Sequence, residues 1–319
     1  MNILVTGGLG FIGSHFIEEI LKDSFFKNVI NIDKATYAAN HNLEFRNSKN
    51  YKEYSLDIND KDILNILKFR NIDLVAHFAA ESHVDNSIKS SSEFITTNIN
   101  GTHNLVEQCR LYGKVKKFLH VSTDEVFGSL GADDKPFTEN SPYKPNNPYS
   151  ASKASSDLIV RSYFKTHKFP AIITNCSNNF GARQFPEKLI PLAIKKLINF
   201  QQVPVYGDGK NVRDWIYVKD HVRFLIKAIK QGVEGEQYLV GGENEISNID
   251  LIKLINKTIN EHFKTKTRED FILFVEDRKS HDNRYAINNT GSERRLGQIN
   301  LTDFNSSLKE TIGSYLLNR

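Results

Sequence analysis

Two short runs in this chain carry reactive groups at spacings that chemistry can use. In Tyr149-Ser150-Ala151-Ser152-Lys153, an i, i+4 spacing on a helix places a phenol and an ammonium on one face. A free phenol ionises near ~10, and an adjacent ammonium together with a bound cationic ring lowers that value toward a useful general base. Tyr-x-x-x-Lys also arises by chance as an ordinary surface or core pair. The second run is Ser122-Thr123-Asp124-Glu125, adjacent carboxyls closing a strand predicted over 118–121. Adjacent acids at the end of a buried strand are costly unless they reach water or are used. On the residues alone, both readings stand.

A third run binds rather than reacts. Gly7-Gly8-Leu9-Gly10-Phe11-Ile12-Gly13 follows a strand predicted at 3–5 and opens a helix predicted at 14–22. Glycine lets the backbone turn sharply and approach a pyrophosphate, while the helix N-terminus presents free N–H groups and partial positive charge. A glycine loop can also be a tight turn without a ligand. What separates the readings is Asp33, 20 residues past Gly13 and closing the second predicted strand. Its carboxylate suits a ribose 2′-hydroxyl and repels a 2′-phosphate, so NAD is expected rather than NADP, with Lys34 beside it as the opposing feature. A Tyr-Lys pair in the same domain as such a fingerprint reads as a base and its supporting cation.

The elements that must position these groups are legible as periodicity. Short β-rich runs at 3–5, 29–32, 74–78, 118–121 and 171–174 alternate with helical patterns at 14–22, 60–70, 93–112 and 149–165. That alternation is the signature of βαβ units, so an α/β fold with a doubly wound parallel Rossmann sheet is expected over 1–180. Beyond Gly181 the alternation breaks. Helical patterns at 187–200, 219–231, 248–263 and 303–317, separated by short strands, predict a smaller C-terminal α/β substrate lobe over 181–319, with the chain crossing between the two units. Segment 129–148 holds four prolines and little periodicity, and reads as an ordered loop near the site or a lid.

Composition narrows the function class. A chain of 319 residues with 39% hydrophobic content buries a sizeable core. Its 42 basic and 38 acidic residues leave a net +4 spread along the length, without the basic block that tracks a phosphate backbone, so no nucleic-acid partner is expected. Cys109 and Cys176 each sit in an apolar stretch; no disulfide framework and no metal site are expected, and a reducing cytoplasm is. The opening Met1-Asn2-Ile3-Leu4-Val5-Thr6 has no charged leader, and no apolar run approaches ~18 residues, so neither secretion nor a membrane span is expected.

With these motifs in hand, the chain resembles the extended short-chain dehydrogenase/reductase superfamily over nearly its full length. Within it, Val121-Ser122-Thr123-Asp124-Glu125-Val126-Phe127-Gly128 resembles the segment that separates nucleotide-sugar 4,6-dehydratases from epimerases. Several further segments are similar to the dTDP-glucose 4,6-dehydratase family. They are His77 to Asp85, Pro186 to Pro191, Pro204 to Gly209, Val212 to Trp215, Asn244 to Asn248, and Asp277-Arg278 through His281-Asp282 to Tyr285. The chain departs from the family pattern at Phe127, where Tyr is usual, at Ala182, where Pro is common, and at Lys279-Ser280, which replaces Pro-Gly. The last two departures bear on the nucleotide-diphosphate site.

The resemblance implies a redox cycle on a nucleotide-diphosphate hexose, with NAD as an internal hydride store. Tyr149, oriented by Lys153 and Thr123, takes the proton of the 4-hydroxyl; Glu125 is the base at C5, and Asp124 the acid for the departing C6 hydroxyl. Two adjacent carboxyls then need opposite protonation states. Carried over position by position, the cofactor residues are Gly7, Gly10, Phe11, Ile12, Gly13, Asp33, Lys34, Asp57, Ile58, Ala79, Ala80, Ser82, Thr97, Tyr149, Lys153 and Asn179. The substrate residues are Ser82, Thr123, Asn178, Glu187, Lys188, Leu189, Pro204, Tyr206, Arg213, Asn248, Arg278, His281 and Tyr285, with arginine suited to phosphate by its permanent charge and bidentate geometry. His83 is more naturally a structural hydrogen-bond partner. dTDP-glucose is the expected substrate; UDP-glucose or another nucleotide hexose, a 4-epimerase using only Tyr149 and Lys153, and a non-catalytic NAD sensor are the alternatives. The resemblance also implies a homodimer paired through 93–112 and 149–165.

Overall fold

The computed structural model describes residues 1–317. Its strands, in chain order, are β1 (Asn2–Thr6), β2 (Asn28–Asp33), β3 (Tyr51–Ser55), β4 (Leu74–His77), β5 (Lys117–Thr123), β6 (Ala171–Cys176), β7 (Asn178–Phe180), β8 (Val203–Tyr206), β9 (Val212–Tyr217), β10 (Gln237–Val240), β11 (Glu245–Ser247) and β12 (Ile272–Val275). The helices are α1 (Phe11–Ile20), α2 (Ile63–Arg70), α3 (Val84–Lys89), α4 (Ser92–Phe94), α5 (Thr102–Tyr112), α6 (Pro148–His167), α7 (Leu189–Ile198), α8 (Val218–Gln231), α9 (Asn248–Glu261), α10 (Thr290–Leu296) and α11 (Phe304–Leu317).

Seven strands form one sheet in the order β10-β6-β5-β4-β1-β2-β3, every neighbouring pair parallel. Its central strands are apolar on both faces because helices cover both: Ile3 and Val5 pack into one core and Leu4 into the other, all three fully buried. Strand order reverses between β1 and β4, and such a reversal opens a crevice beyond the carboxyl ends of the two strands. Gly7 follows β1 and Ala79 follows β4, so both flank that crevice.

The doubly wound α/β sheet is as expected, with two additions. β3 joins the edge although Tyr-Lys-Glu-Tyr-Ser has no apolar run; its side chains are intermediate or exposed. β10 comes from the C-terminal half and pairs with β6, while α8 packs against α1. The rest of that half forms two small sheets, β11-β9-β7 and β12-β8.

The helical stretch predicted at 93–112 is broken into α4 and α5 by a π-helical turn at Ile95–Gly101. Such bulges recur where a helix must present side chains off its regular face. Here the turn buries Thr97 and Asn98, and the Asn98 amide exchanges hydrogen bonds with the backbone of Glu81 at 2.8 and 2.9 Å and donates to Ser152 Oγ at 2.8 Å. Segment 129–148 is ordered: the Leu130 and Phe137 amides donate to Arg284 and Ala286 carbonyls at 3.0 and 2.8 Å, and both side chains join a small core with Tyr285 and Ile287.

Candidate functional site

The dinucleotide crevice is shaped by glycine where nothing else fits. Gly7 has φ +73°, and a Cβ there would stand 2.6 Å from the Ala79 nitrogen; a Cβ on Gly13 would stand 2.3 Å from the Gly7 oxygen. Gly10 caps α1 in extended conformation with no side chain on the first-turn amides. That leaves the helix N-terminus open to an anion. Asp33 ends β2, accepts hydrogen bonds from the Leu9 and Ala35 amides at 2.9 and 2.8 Å, and is raised from its ordinary value by burial. The Lys34 ammonium lies 3.6 Å from Asp57, 3.9 Å from Glu81 and 3.3 Å from Thr97 Oγ1, occupied by carboxylates rather than free for a 2′-phosphate. Together these features fit an NAD-shaped ligand.

This crevice is lined by Gly7, Gly10, Phe11, Ile12, Gly13, Asp33, Lys34, Ile58, Ala79, Ala80, Ser82 and Thr97, and it runs to Thr123, Glu125, Tyr149, Lys153, Asn178 and Asn179. Asp57 stands outside the lining and reaches the site through Lys34. A second cavity adjoins it and is lined by Leu189, Pro204, Tyr206, Arg213, Asn248, Arg278, His281 and Tyr285. Glu125, Asn178, Asn179, Glu187 and Lys188 line both. Asp124 lines neither, yet one oxygen of its buried carboxylate has no hydrogen-bond partner.

Local structure sets the reactive groups. Thr123 ends β5 and caps a 3-10 turn over Asp124–Phe127, its Oγ1 accepting the Glu125 amide at 3.3 Å and donating to Asp124 Oδ1 at 3.3 Å. Asn147 caps α6 by accepting the Ser150 amide at 2.9 Å, and Pro148 supplies the pre-set first turn. Tyr149 therefore enters at the first turn of a 20-residue helix, its amide donating to Ser87 Oγ at 3.2 Å. One turn on, Lys153 donates to the Val121 carbonyl at 2.9 Å.

The electrostatics divide the carboxyls. Burial, then repulsion from Glu125 and Asp214, pushes Asp124 well above the carboxylate range. Glu125 is also raised by burial, but Lys188, Arg213 and Arg278 pull it back. Of the two, Asp124 is pushed the more strongly toward its protonated form. Within the protein alone, burial and then the Glu125 carboxylate push the Tyr149 phenol well above the ordinary value, before any cationic ring is bound. Lys153, itself lowered by burial, does not outweigh them within the protein alone.

In the second cavity, cations are held on rings. Arg213 stacks on Tyr285 at 4.5 Å and donates to the Asp282 carbonyl at 2.9 Å; Arg278 stacks on Tyr206 at 5.2 Å. The Tyr285 hydroxyl donates to Asp282, and His281 Nδ1 lies 2.7 Å from Asp277. Lys188 donates to the Ser82 carbonyl at 2.7 Å. His83 caps α3, its Nδ1 accepting the Asn86 amide at 3.3 Å, with Nε2 at 3.8 Å from Glu187. Sequence reasoning missed Asn98, Asn147, Gln184 and Trp215. Asn147-Pro148 ahead of a helical run was a readable capping signal; Asn98 depends on the π turn and left none.

A family model for GDP-mannose 4,6 dehydratase matches residues 4–311. A dTDP-glucose 4,6-dehydratase of Neisseria meningitidis serogroup B is 46% identical, with 100% of this chain and 94% of the relative covered. One from Escherichia coli is 44% identical over 100% of this chain and 94% of its own. Among solved structures, DesIV, a dTDP-glucose 4,6-dehydratase from Streptomyces venezuelae solved with NAD bound, superposes with a TM-score of 0.94 at 40% identity, covering 100% of this chain and 98% of DesIV. A UDP-glucose 4-epimerase from Thermotoga maritima superposes at 0.89 but is 26% identical, covering 100% and 99%.

Proposed function

The chain belongs to the GDP-mannose 4,6-dehydratase family within the extended short-chain dehydrogenases, and we propose from that membership and the site's geometry that it is an NAD-dependent hydro-lyase converting dTDP-glucose to dTDP-4-keto-6-deoxyglucose. The observation that carries this reading is Glu125, which lines both the dinucleotide crevice and the adjoining cavity, beside the buried Asp124 whose carboxyl is pushed well above the usual range by burial. An epimerase works with Tyr149 and Lys153 and has no use for the pair.

NAD would be held by the Gly7–Gly13 loop and Asp33, and when bound would supply a hydride acceptor for sugar C4 and a donor for C6. Tyr149 takes the proton of the 4-hydroxyl as the C4 ketone forms, and the Thr123 hydroxyl favours the phenolate by turning its one proton from Asp124 to the phenol oxygen. The ketone acidifies the C5–H bond, so Glu125 can remove that proton. Asp124 protonates the C6 hydroxyl, which leaves as water and opens a C5=C6 double bond conjugated to the ketone. After C6 is reduced, Glu125 returns its proton to C5. The proton gained by Tyr149 balances the one given up by Asp124, so its passage between them resets the site. The diphosphate is held by Arg213 and Arg278, and Asn178, Glu187, Lys188 and Asn248 complete the substrate wall.

Ile95, Leu111 and Leu158 are 47%, 54% and 54% exposed on the α4–α5 and α6 surface, an apolar face that a second copy of the chain would cover to make a homodimer. Among the described residues no helix is long and apolar enough to cross a membrane, and Cys109 and Cys176 are free and buried, in keeping with a cytoplasmic enzyme. Incubation with dTDP-glucose, UDP-glucose, GDP-mannose and UDP-GlcNAc in turn, with products identified by mass and proton NMR, tests the assignment. A 6-deoxy-4-keto product formed fastest from dTDP-glucose supports it; a 4-epimer without loss of water overturns it.

A further inference from the structure

Asp157 lies four residues beyond Lys153 on α6, so the two side chains occupy one face of the helix. Asp157 is fully buried and Lys153 is 5% exposed. A carboxylate so far from water is tolerated only with partners and a countercharge. Its Oδ1 lies 3.0 Å from His120 Nε2. Its Oδ2 accepts from the Tyr143 hydroxyl at 3.0 Å and from Asn175 Nδ2 at 3.2 Å.

These partners lead into the site. The Asn175 amide that binds Asp157 also donates to the Thr123 carbonyl at 2.9 Å, at the strand end that carries the Thr-Asp-Glu run. Gln237, on the C-terminal β10, fixes Asn175 and Tyr143 by donating to both, at 2.7 and 3.1 Å. The rings around the lysine do not supply the countercharge. His120 on β5 is lowered by burial and by Lys153, and His77 on β4 lies well below its ordinary value for the same reasons and for its nearness to His120. Burial and the nearby ammonium thus disfavour a second cation on either ring. Cys176 on β6 is held up to about 12 by burial and stays a thiol. Asp157 is the foremost influence keeping Lys153 an ammonium against burial.

We propose that Asp157 is a positioning residue for the Tyr149 base, its carboxylate countering the Lys153 charge from within the core and, through Asn175, fixing the Thr123 end of β5. It touches neither substrate nor cofactor. Glu125, Asp124 and Cys176 are the acidic groups that face Tyr149; Asp157 is not one of its foremost influences, so its action passes through the lysine and the strand.

The proposal rests on Tyr149 being the base of the reaction above, and its test separates the two. Failure of that reading shows as a wild-type enzyme that makes no 6-deoxy product. Given activity, Asp157→Asn preserves volume and removes charge. It is expected to lower kcat about ten- to a hundredfold with KM within about twofold, and to move the acid limb of the kcat–pH profile upward by about one unit, as the cation supporting the phenolate weakens. Tyr143→Phe removes one hydrogen bond to the same carboxylate and leaves its charge, so its acid limb stays in place. An unmoved limb in Asp157→Asn, or an equal shift in Tyr143→Phe, overturns the proposal. Should Asp157→Asn fail to fold, the charge-balanced Lys153→Met/Asp157→Asn protein decides. Because the asparagine keeps an oxygen for Asn175, only the charge is lost, so this protein is expected to turn over at the rate of Lys153→Met alone, and a further drop of about tenfold overturns the proposal.

Discussion

The Arg278 guanidinium is ion-paired to Asp85, 193 residues earlier in the chain, with Nε 2.5 Å from Oδ1, and both side chains line the second cavity. The pair joins α3, next to the parallel sheet, to the loop after β12. Tyr206 completes it, stacking on the guanidinium and donating to Asp85 Oδ2 at 3.2 Å. An arginine held this way is ready to give its remaining donors to a diphosphate.

Arg278→Gln is therefore expected to raise KM for the nucleotide sugar about ten- to a hundredfold while leaving kcat within about threefold, since a charge-assisted contact is worth ~1.5–3 kcal/mol. Steady-state kinetics check this. A fall in kcat at unchanged KM would mean that the residue acts on the chemistry instead.

Tyr149→Phe should abolish the C4 oxidation, because the ring still packs while the base is gone. Thr123→Val should be milder, removing a hydrogen bond worth ~1–3 kcal/mol in a buried site. Single-turnover product analysis distinguishes them; equal losses would give the threonine a larger part than orienting the phenol.

The hydride leaves and returns within one turnover, so the protein should carry NAD through purification and work without added cofactor. Absorbance at 340 nm should not rise in step with product. Gly7→Ala should reduce bound NAD sharply and cost stability, since its Cβ would press within 2.6 Å of the Ala79 amide nitrogen at φ +73°.

Stability should fall as pH rises through the acids that burial raises, Asp214 among them with Asp33, Asp124 and Glu125. Burial raises Asp214 from 3.8 to about 6, although it accepts amide hydrogens from Gly242 and Asn244 at 3.0 and 2.9 Å. The folded chain then holds this proton more tightly than the unfolded one. Its contribution is fully present below about pH 4 and lost as pH rises to about 6, a change on the order of 3 kcal/mol. Asp214→Asn should flatten that decline in denaturant melts taken across this range. A slope identical to wild type would place the titration elsewhere.

The legible parts of this protein are those written in local pattern. β1, β2, β4, β5 and β6 are continuous apolar runs because both sheet faces are covered, and the glycine loop, Asp33 and the Tyr-Lys pair stand at fixed offsets from them. β3 was illegible because an edge strand with Lys52 and Ser55 exposed and no residue fully buried has no need of a core pattern. β10 was illegible as a seventh strand because its neighbour β6 lies about sixty residues earlier, a long-range pairing that no window sees. The carboxyl pair was visible as residues, but its division into acid and base depends on Asp214, Lys188, Arg213 and Arg278 arriving from the other half of the chain. The burial that raises the Tyr149 phenol was hidden for the same reason: spacing shows the lysine, and only the fold shows the burial.

The most direct test of the central claim is turnover in D₂O by Glu125→Gln and Asp124→Asn, with rapid quench and mass analysis at C5. The account predicts that Glu125→Gln oxidises C4 but fails to exchange the C5 proton, accumulating a 4-keto-hexose that retains its 6-hydroxyl. Asp124→Asn is predicted to exchange C5 yet lose water slowly, with rate losses in the ~10²–10⁴ range of general acid–base groups. Wild-type rates of 6-deoxy product from both variants would reduce the carboxyl pair to a buried strand end and contradict the dehydratase assignment.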